Sequence, residues 1–158
     1  MAETLEGGCA CGTVRYRLED APMVVHCCHC TWCQRETGSA FVINAVIERD
    51  RVTLLAGEPE LVMTPSESGR GQEIARCPSC RVALWSHYPN AGRKAAFVRV
   101  GTLTEPGSLP PDVHIFTRSK LPWVRLPEDA KAYEIFYADP GEVWSAEARA
   151  RWKALMAA

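Results

Sequence analysis

The chain has 158 residues, enough for one domain with a packed core, and 18 basic against 19 acidic residues give a formal charge of -1. That balance argues against a non-specific nucleic-acid binder, which needs a positive footprint to neutralise phosphates, although Arg70, Arg76, Arg81, Arg93, Lys94 and Arg99 are moderately dense. Met1–Thr4 carries neither a basic run nor an apolar one, and the longest strongly apolar stretch, Ala40 to Ile47, is too short to span a bilayer. The expectation is a cytoplasmic protein with no membrane and no nucleic-acid partner, in a compartment that keeps thiols reduced.

Strand patterns dominate as far as Leu126. Thr13 to Leu18 alternates, with Val14, Tyr16 and Leu18 on one face and Arg15 and Arg17 on the other. Ala40 to Ile47 reads as a continuous apolar strand, and Val52–Leu55 and Leu61–Met63 as two strands separated by the turn signal Gly57-Glu58-Pro59. Thr64 to Ile74 is polar and made deformable by Gly69 and Gly71. It reads either as a surface hairpin or as a lip over a site, with Ser66, Ser68 and Arg70 offering hydrogen bonds to an anionic ligand. Phe97–Val100 and Val113–Thr117 are further short strands, with a loop through Leu103 to Pro111 between them. Short strands joined by Gly/Pro turns predict a mainly β fold.

The period changes near the C-terminus. Trp144, Ala148, Trp152 and Leu155 fall at i, i+4, i+8 and i+11, a helical stripe, and Asp139-Pro140-Gly141-Glu142 has the chemistry of a helix start. This helix is expected to pack on the sheet or on a partner subunit, which leaves a homo-oligomer open, and not to serve the chemistry.

Eight cysteines fall into three tight groups: Cys9/Cys11, Cys27/Cys28/Cys30/Cys33 and Cys77/Cys80. An even number of cysteines also suits a disulfide framework, but close spacing in a reducing compartment reads as metal binding or redox chemistry. In an extended C-x-C pair both sulfurs point the same way, so Cys9 and Cys11 converge. Cys77-Pro78-Ser79-Cys80 is a zinc-knuckle pattern. Together the two pairs make a closed four-thiolate zinc site, the alternatives being unliganded buried thiols or a Cys77/Cys80 redox pair. In the middle run, Cys28, Cys30 and Cys33 form the natural three-ligand set, with Cys27 and His29 on the opposite face as packing or supporting residues. Such a set leaves a fourth position open to a water, a substrate thiol or a neighbouring side chain. A zinc held by three thiolates suits thiol chemistry better than water activation.

The segments Gly8-Cys9-Ala10-Cys11-Gly12, Cys28-His29-Cys30-Thr31-Trp32-Cys33-Gln34-Arg35-Glu36-Thr37-Gly38-Ser39-Ala40-Phe41 and Cys77-Pro78-Ser79-Cys80 carry a resemblance to the glutathione-dependent formaldehyde-activating enzyme family, which includes centromere protein V-like domains. Gly101-Thr102-Leu103 and the stretch from His114-Ile115-Phe116 to Pro122-Trp123 add to it. The resemblance implies a β-tent fold of short antiparallel strands over residues 5–126, with residues 127–158 an extension carrying the C-terminal helix and packed on the same domain. It implies a structural zinc on Cys9, Cys11, Cys77 and Cys80 and a second, catalytic zinc on Cys28, Cys30 and Cys33. The implied reaction is carbon–sulfur lyase chemistry that joins glutathione to formaldehyde as S-(hydroxymethyl)glutathione. Where the family has glycine after its last zinc cysteine, this chain has Arg81.

Glutathione carries two carboxylates, so its site should present donors: Arg35, Arg70 and the backbone amides of Gly69-Arg70-Gly71 are the candidates. Trp32, Phe41 and Trp85 are pocket walls or core residues. Two other readings stand beside the lyase. One is a non-catalytic zinc-binding interaction module, with the fourth position of the middle site filled by Cys27 or a nearby side chain. The other is a related enzyme acting on a different small thiol or carbonyl compound.

Overall fold

A computed structural model describes residues 5–158 and shows a mainly β fold with ten strands and two α-helices. The strands are β1 (Leu5–Gly8), β2 (Arg15–Leu18), β3 (Val24–Cys28), β4 (Val42–Glu48), β5 (Val52–Ala56), β6 (Glu60–Thr64), β7 (Gln72–Arg76), β8 (Ala83–His87), β9 (Ala95–Arg99) and β10 (Val113–Ile115). The helices are α1 (Thr31–Thr37) and α2 (Ala146–Ala157). A small sheet has the order β1-β2-β5 and a large one the order β10-β3-β4-β9-β8-β7-β6. Pairing is antiparallel throughout, except that β10 runs parallel to β3. Among the described residues no helix is long and apolar enough to cross a membrane.

The large sheet is covered on both faces, which explains why its central strands read as continuous apolar runs. Along β4 the odd positions Ile43, Ala45 and Ile47 pack into a core with Tyr16, Leu18, Trp85 and Val98. The even positions Val42 and Val46 pack into a second core with Cys28, Cys30, Cys33, Tyr137 and Ala148. Strand period two thus sends alternate residues of one strand to two different cores. The Gly57-Glu58-Pro59 turn does not close a hairpin. It carries the chain from β5 in the small sheet to β6 in the large one. The strand at Val113 stops at Ile115 because Phe116 takes a left-handed backbone, φ +56°.

The C-terminal helix begins later than its sequence suggests. Asp139-Pro140-Gly141-Glu142 makes its own short turn, in which the Asp139 carboxylate accepts from Gly141 N–H at 2.8 Å. The cap of α2 is Ser145, whose hydroxyl accepts from Ala148 N–H at 3.0 Å, so Trp144 lies before the helix. Trp144, Ala148, Trp152 and Leu155 pack against this chain's own second core.

An ion pair fastens α2 to the sheet. Arg151 grips Glu48 of β4 with two donors, Nε at 2.9 Å and Nη2 at 2.6 Å, and both side chains are largely buried. Burial alone would raise the Glu48 carboxyl, but the hydrogen bonds from Arg151 outweigh it and hold the group below its ordinary 4.5. The stabilisation is therefore complete above the unfolded-state value and is lost as pH falls through the lower folded-state value. Glu48→Gln is expected to cost about 2 kcal/mol at neutral pH by removing the two short charged bonds to Arg151 and leaving it only the Asp20 carboxylate, 4.0 Å away. It should also flatten the acid limb of the stability curve below about pH 4.5. Urea unfolding across that range checks it, and parallel acid limbs in the two proteins would count against the pair.

Candidate functional site

All eight cysteines are free thiols, so the disulfide alternative is not realised. Cys9 and Cys11 meet Cys77 and Cys80 with the four sulfurs all within 4.8 Å of one another. Cys9 to Cys11 is 3.6 Å and Cys11 to Cys77 is 3.7 Å. Four sulfurs around zinc at about 2.3 Å would stand about 3.8 Å apart, so this donor set fits the ion. The convergence of Cys9 and Cys11 comes from a turn rather than an extended segment. Between β1 and β2, Cys9 N–H donates to Val14 O at 3.1 Å and Val14 N–H returns a bond to the Cys9 sulfur at 3.3 Å. The turn between β7 and β8 presents Cys77 and Cys80, and Arg81 N–H closes it onto Cys77 O at 3.0 Å. Arg81 takes φ +66°, the left-handed conformation that glycine adopts without strain, and its side chain reaches Glu60 at 2.6 Å. Backbone hydrogen bonds at Val82 and Cys11 pull the Cys80 thiol down to about 6.

The second group is Cys28, Cys30 and Cys33, all buried, with sulfurs within 4.8 Å of one another. Three local features assemble it. Cys28 ends β3 on the face it shares with His26. Cys30 is the N-cap of α1, its sulfur accepting from Cys33 N–H at 3.2 Å. Cys33 lies one turn along that helix, which closes with Gly38 in the left-handed conformation. Hydrogen bonds from the Cys28 and Cys33 thiols hold Cys30 well below the ordinary thiol range, while the same crowding pushes Cys28 up. Cys30 is thus the readiest thiolate of the three. Glu36 of α1 anchors the helix from behind, taking Arg76 at 2.7 Å and Arg99 at 3.1 Å, and Arg99 also donates to Asn44 Oδ1 at 2.6 Å.

Cys27, on the opposite face of β3, belongs to a third group with His29 and His114. Its sulfur is 3.5 Å from His29 Nε2, which lies 3.0 Å from His114 Nδ1. The parallel register of β10 on β3 sets His114 opposite Cys27.

A cavity of about 900 Å³ opens on the second group, lined in part by His26, Cys28, Cys30 and Cys33. The β6–β7 turn contributes Ser66, Ser68 and Arg70, with Arg70 Nη1 held by Asn90 Oδ1 at 2.7 Å. The C-terminal segment contributes Tyr137, whose hydroxyl accepts from Trp144 Nε1–H at 2.6 Å and lies 2.7 Å from His26 Nε2. Burial pushes His26 down to about 4, so its ring is neutral and its free nitrogen can accept the Tyr137 proton.

Residues 4–119 match the family model described as glutathione-dependent formaldehyde-activating enzyme. The chain belongs to this family. A curated protein of Halomonas elongata, named "Putative glutathione-dependent formaldehyde-activating enzyme", is 27% identical over 129 residues, covering 77% of this chain and 80% of its own length. A crystal structure of a Rhodobacter sphaeroides protein is 17% identical over an alignment covering 63% of this chain and 87% of that one, with a TM-score of 0.45.

Within the family span, the structure brings Cys9, Cys11, Cys77 and Cys80 to one point and Cys28, Cys30 and Cys33 to another. Arg70 reaches the cavity. Arg35 does not: it is exposed, with its guanidinium 5.9 Å from the Trp32 ring centroid. Trp32 lines the cavity, whereas Trp85 is core and Phe41 packs on His29. Sequence reasoning missed the Glu36 anchor, the joining of His114 to His29, and the Tyr137 link to His26. It also set the C-terminal stripe apart from the site, yet Trp144 and Trp152 line the cavity. Only the density of tryptophan and tyrosine after residue 130 hinted at this.

Proposed function

We propose that this family member is a zinc-dependent carbon–sulfur lyase acting on a thiol–aldehyde adduct, joining glutathione and formaldehyde as S-(hydroxymethyl)glutathione. The observation that carries the reading is the Cys28/Cys30/Cys33 set facing a cavity, with no fourth His, Cys, Asp or Glu in its group among the described residues. Zinc held there would offer an incoming thiol a coordination position and lower its pKa.

The residues divide the work. Cys28, Cys30 and Cys33 would hold the ion, and Cys9, Cys11, Cys77 and Cys80 would hold a second, structural one that would tie the β1–β2 turn to the β7–β8 turn. We assign residues 5–126 as the domain that carries both groups and 127–158 as an extension packed on it. Arg70, steadied by Asn90, offers a guanidinium to a glutathione carboxylate. Arg35 lies away from the cavity, so the donor role rests on Arg70 and its neighbouring amides. Aromatic walls thin the water around the reacting atoms. In the synthetic direction the thiol sulfur bonds to the carbonyl carbon, the C=O π pair becomes a hydroxyl, and the thiol proton ends on that oxygen. Cleavage reverses each change, so no oxidant or reductant is needed.

Cys27 is the side chain that would close this site in an interaction module, and its grouping with His29 and His114 favours the enzyme. Exchange spectroscopy with labelled formaldehyde and glutathione tests the reading. The zinc-loaded protein should speed adduct formation and breakdown at least about tenfold over buffer at equal pH. Exchange no faster than in buffer would sink it.

A further inference from the structure

The cavity of about 900 Å³ has to take the thiol as well as the aldehyde, but one side of it is aromatic and aliphatic, which matches neither the carboxylates and amides of glutathione nor a two-heavy-atom aldehyde. Of its 29 lining residues, nine come from residues 135–152, beyond the family-matched span that ends at residue 119. Ile135, Phe136, Tyr137, Trp144 and Trp152 give that contribution an aromatic and aliphatic face. Phe97 and Phe116 of the family core meet it.

This face is built, not draped. Phe136 stacks on Tyr137 with centroids 4.2 Å apart, Trp144 meets Trp152 edge-on at 5.6 Å, and Tyr137 bridges His26 and Trp144. Arg151 on Glu48 fixes the helix behind it. A wall held this firmly costs little to order around a ligand. Yet Ile135 is 52% exposed and Phe136 48%, so apolar surface at the cavity stands open to water. Open apolar surface beside convergent polar groups marks a binding site, and here the polar groups are Ser66, Ser68 and Arg70.

We propose that the adduct this site handles carries an apolar group of aryl or branched-alkyl size on its aldehyde carbon, and that residues 135–152 select for it. The inference rests on the thiol–aldehyde reading above and names its substrate class. The thiol sulfur bonds to the carbonyl carbon as before, its proton passing to the new hydroxyl. The aldehyde's side group then lies on the aromatic wall, and the thiol's carboxylates face Arg70. Formaldehyde leaves that wall uncovered.

Stable thioethers test this without turnover. S-benzylglutathione and S-methylglutathione differ only in the group that would sit where the aldehyde's does, and calorimetry on the zinc-loaded full chain reads their affinities directly. The benzyl conjugate should bind at least about tenfold tighter. Ile135→Ala with Phe136→Ala, both at exposed positions, should bring the benzyl-to-methyl ratio toward one with the melting temperature retained. Equal affinities in the wild-type protein would overturn the proposal while leaving the glutathione reading intact. Binding of neither conjugate would remove the glutathione reading, and this proposal with it.

Discussion

Cys30→Ser is expected to reduce adduct formation to the rate in buffer while leaving the fold intact. Cys30 has two jobs, and serine can do one of them. As the N-cap of α1 it accepts from Cys33 N–H, and serine is among the best residues for that position. As a soft thiolate it is not replaceable, because a neutral hydroxyl neither ionises at neutral pH nor matches sulfur as a zinc ligand. Removing a supporting group from a metal site commonly costs 10- to 100-fold in affinity, so loss of a direct ligand should cost at least about 100-fold. Zinc content at the second site should fall, with far-ultraviolet circular dichroism and melting temperature close to the parent's. Full activity in this variant would show that the three-thiolate set is not the reacting centre.

Cys77→Ser is the variant for which the largest loss of stability is expected. Its sulfur is fully buried and stands 3.7 Å from Cys11, 66 residues away in sequence. The four-thiolate group fastens the β1–β2 turn of the small sheet to the β7–β8 turn of the large one. Metal binding to a long-range donor set is coupled to folding. Both packed cores remain in the variant, so it should be weakened rather than unfolded outright. Loss of about 3 kcal/mol and a fall of about 10 °C in melting temperature are expected, along with one zinc equivalent. An unchanged zinc count with an unchanged melting temperature would remove the structural assignment. The two variants thus separate the groups: one should lose chemistry and keep the fold, and the other should lose stability first.

Both expectations start from sulfur spacings, the most local signal in the sequence. C-x-C and C-x2-C set which thiols can approach one another within a few residues, whatever the rest of the chain does. Alternation in Val14, Tyr16 and Leu18 was legible for the same reason, since period two is a property of one strand. Where local signals were short or doubled, reading failed. Helix α1 is seven residues long, too few to display a helical period, and it hid inside the cysteine run. Strand β3 is buried at all five positions, so it shows no alternation. Asp139-Pro140-Gly141-Glu142 has the chemistry of a helix start, and Ser145 competed for the same role and won.

The sequence by itself determined the mainly β character, the three cysteine groups and, through their combination, the family. Joining Cys9/Cys11 to Cys77/Cys80 was an expectation from donor count that the strand pairing makes possible, whereas only the tertiary structure decided that His29 meets His114, because that depends on β10 lying beside β3 across 85 residues of chain. Strand alternation already separated Cys27 from Cys28, but only the tertiary structure decided what Cys27 meets, a group with His29 and His114. Last, it decided that the C-terminal stripe faces a cavity. Periodicity says that a helix has an apolar face, but what that face covers is set by the packing of the helix, here through Arg151 on Glu48 and Tyr137 on His26.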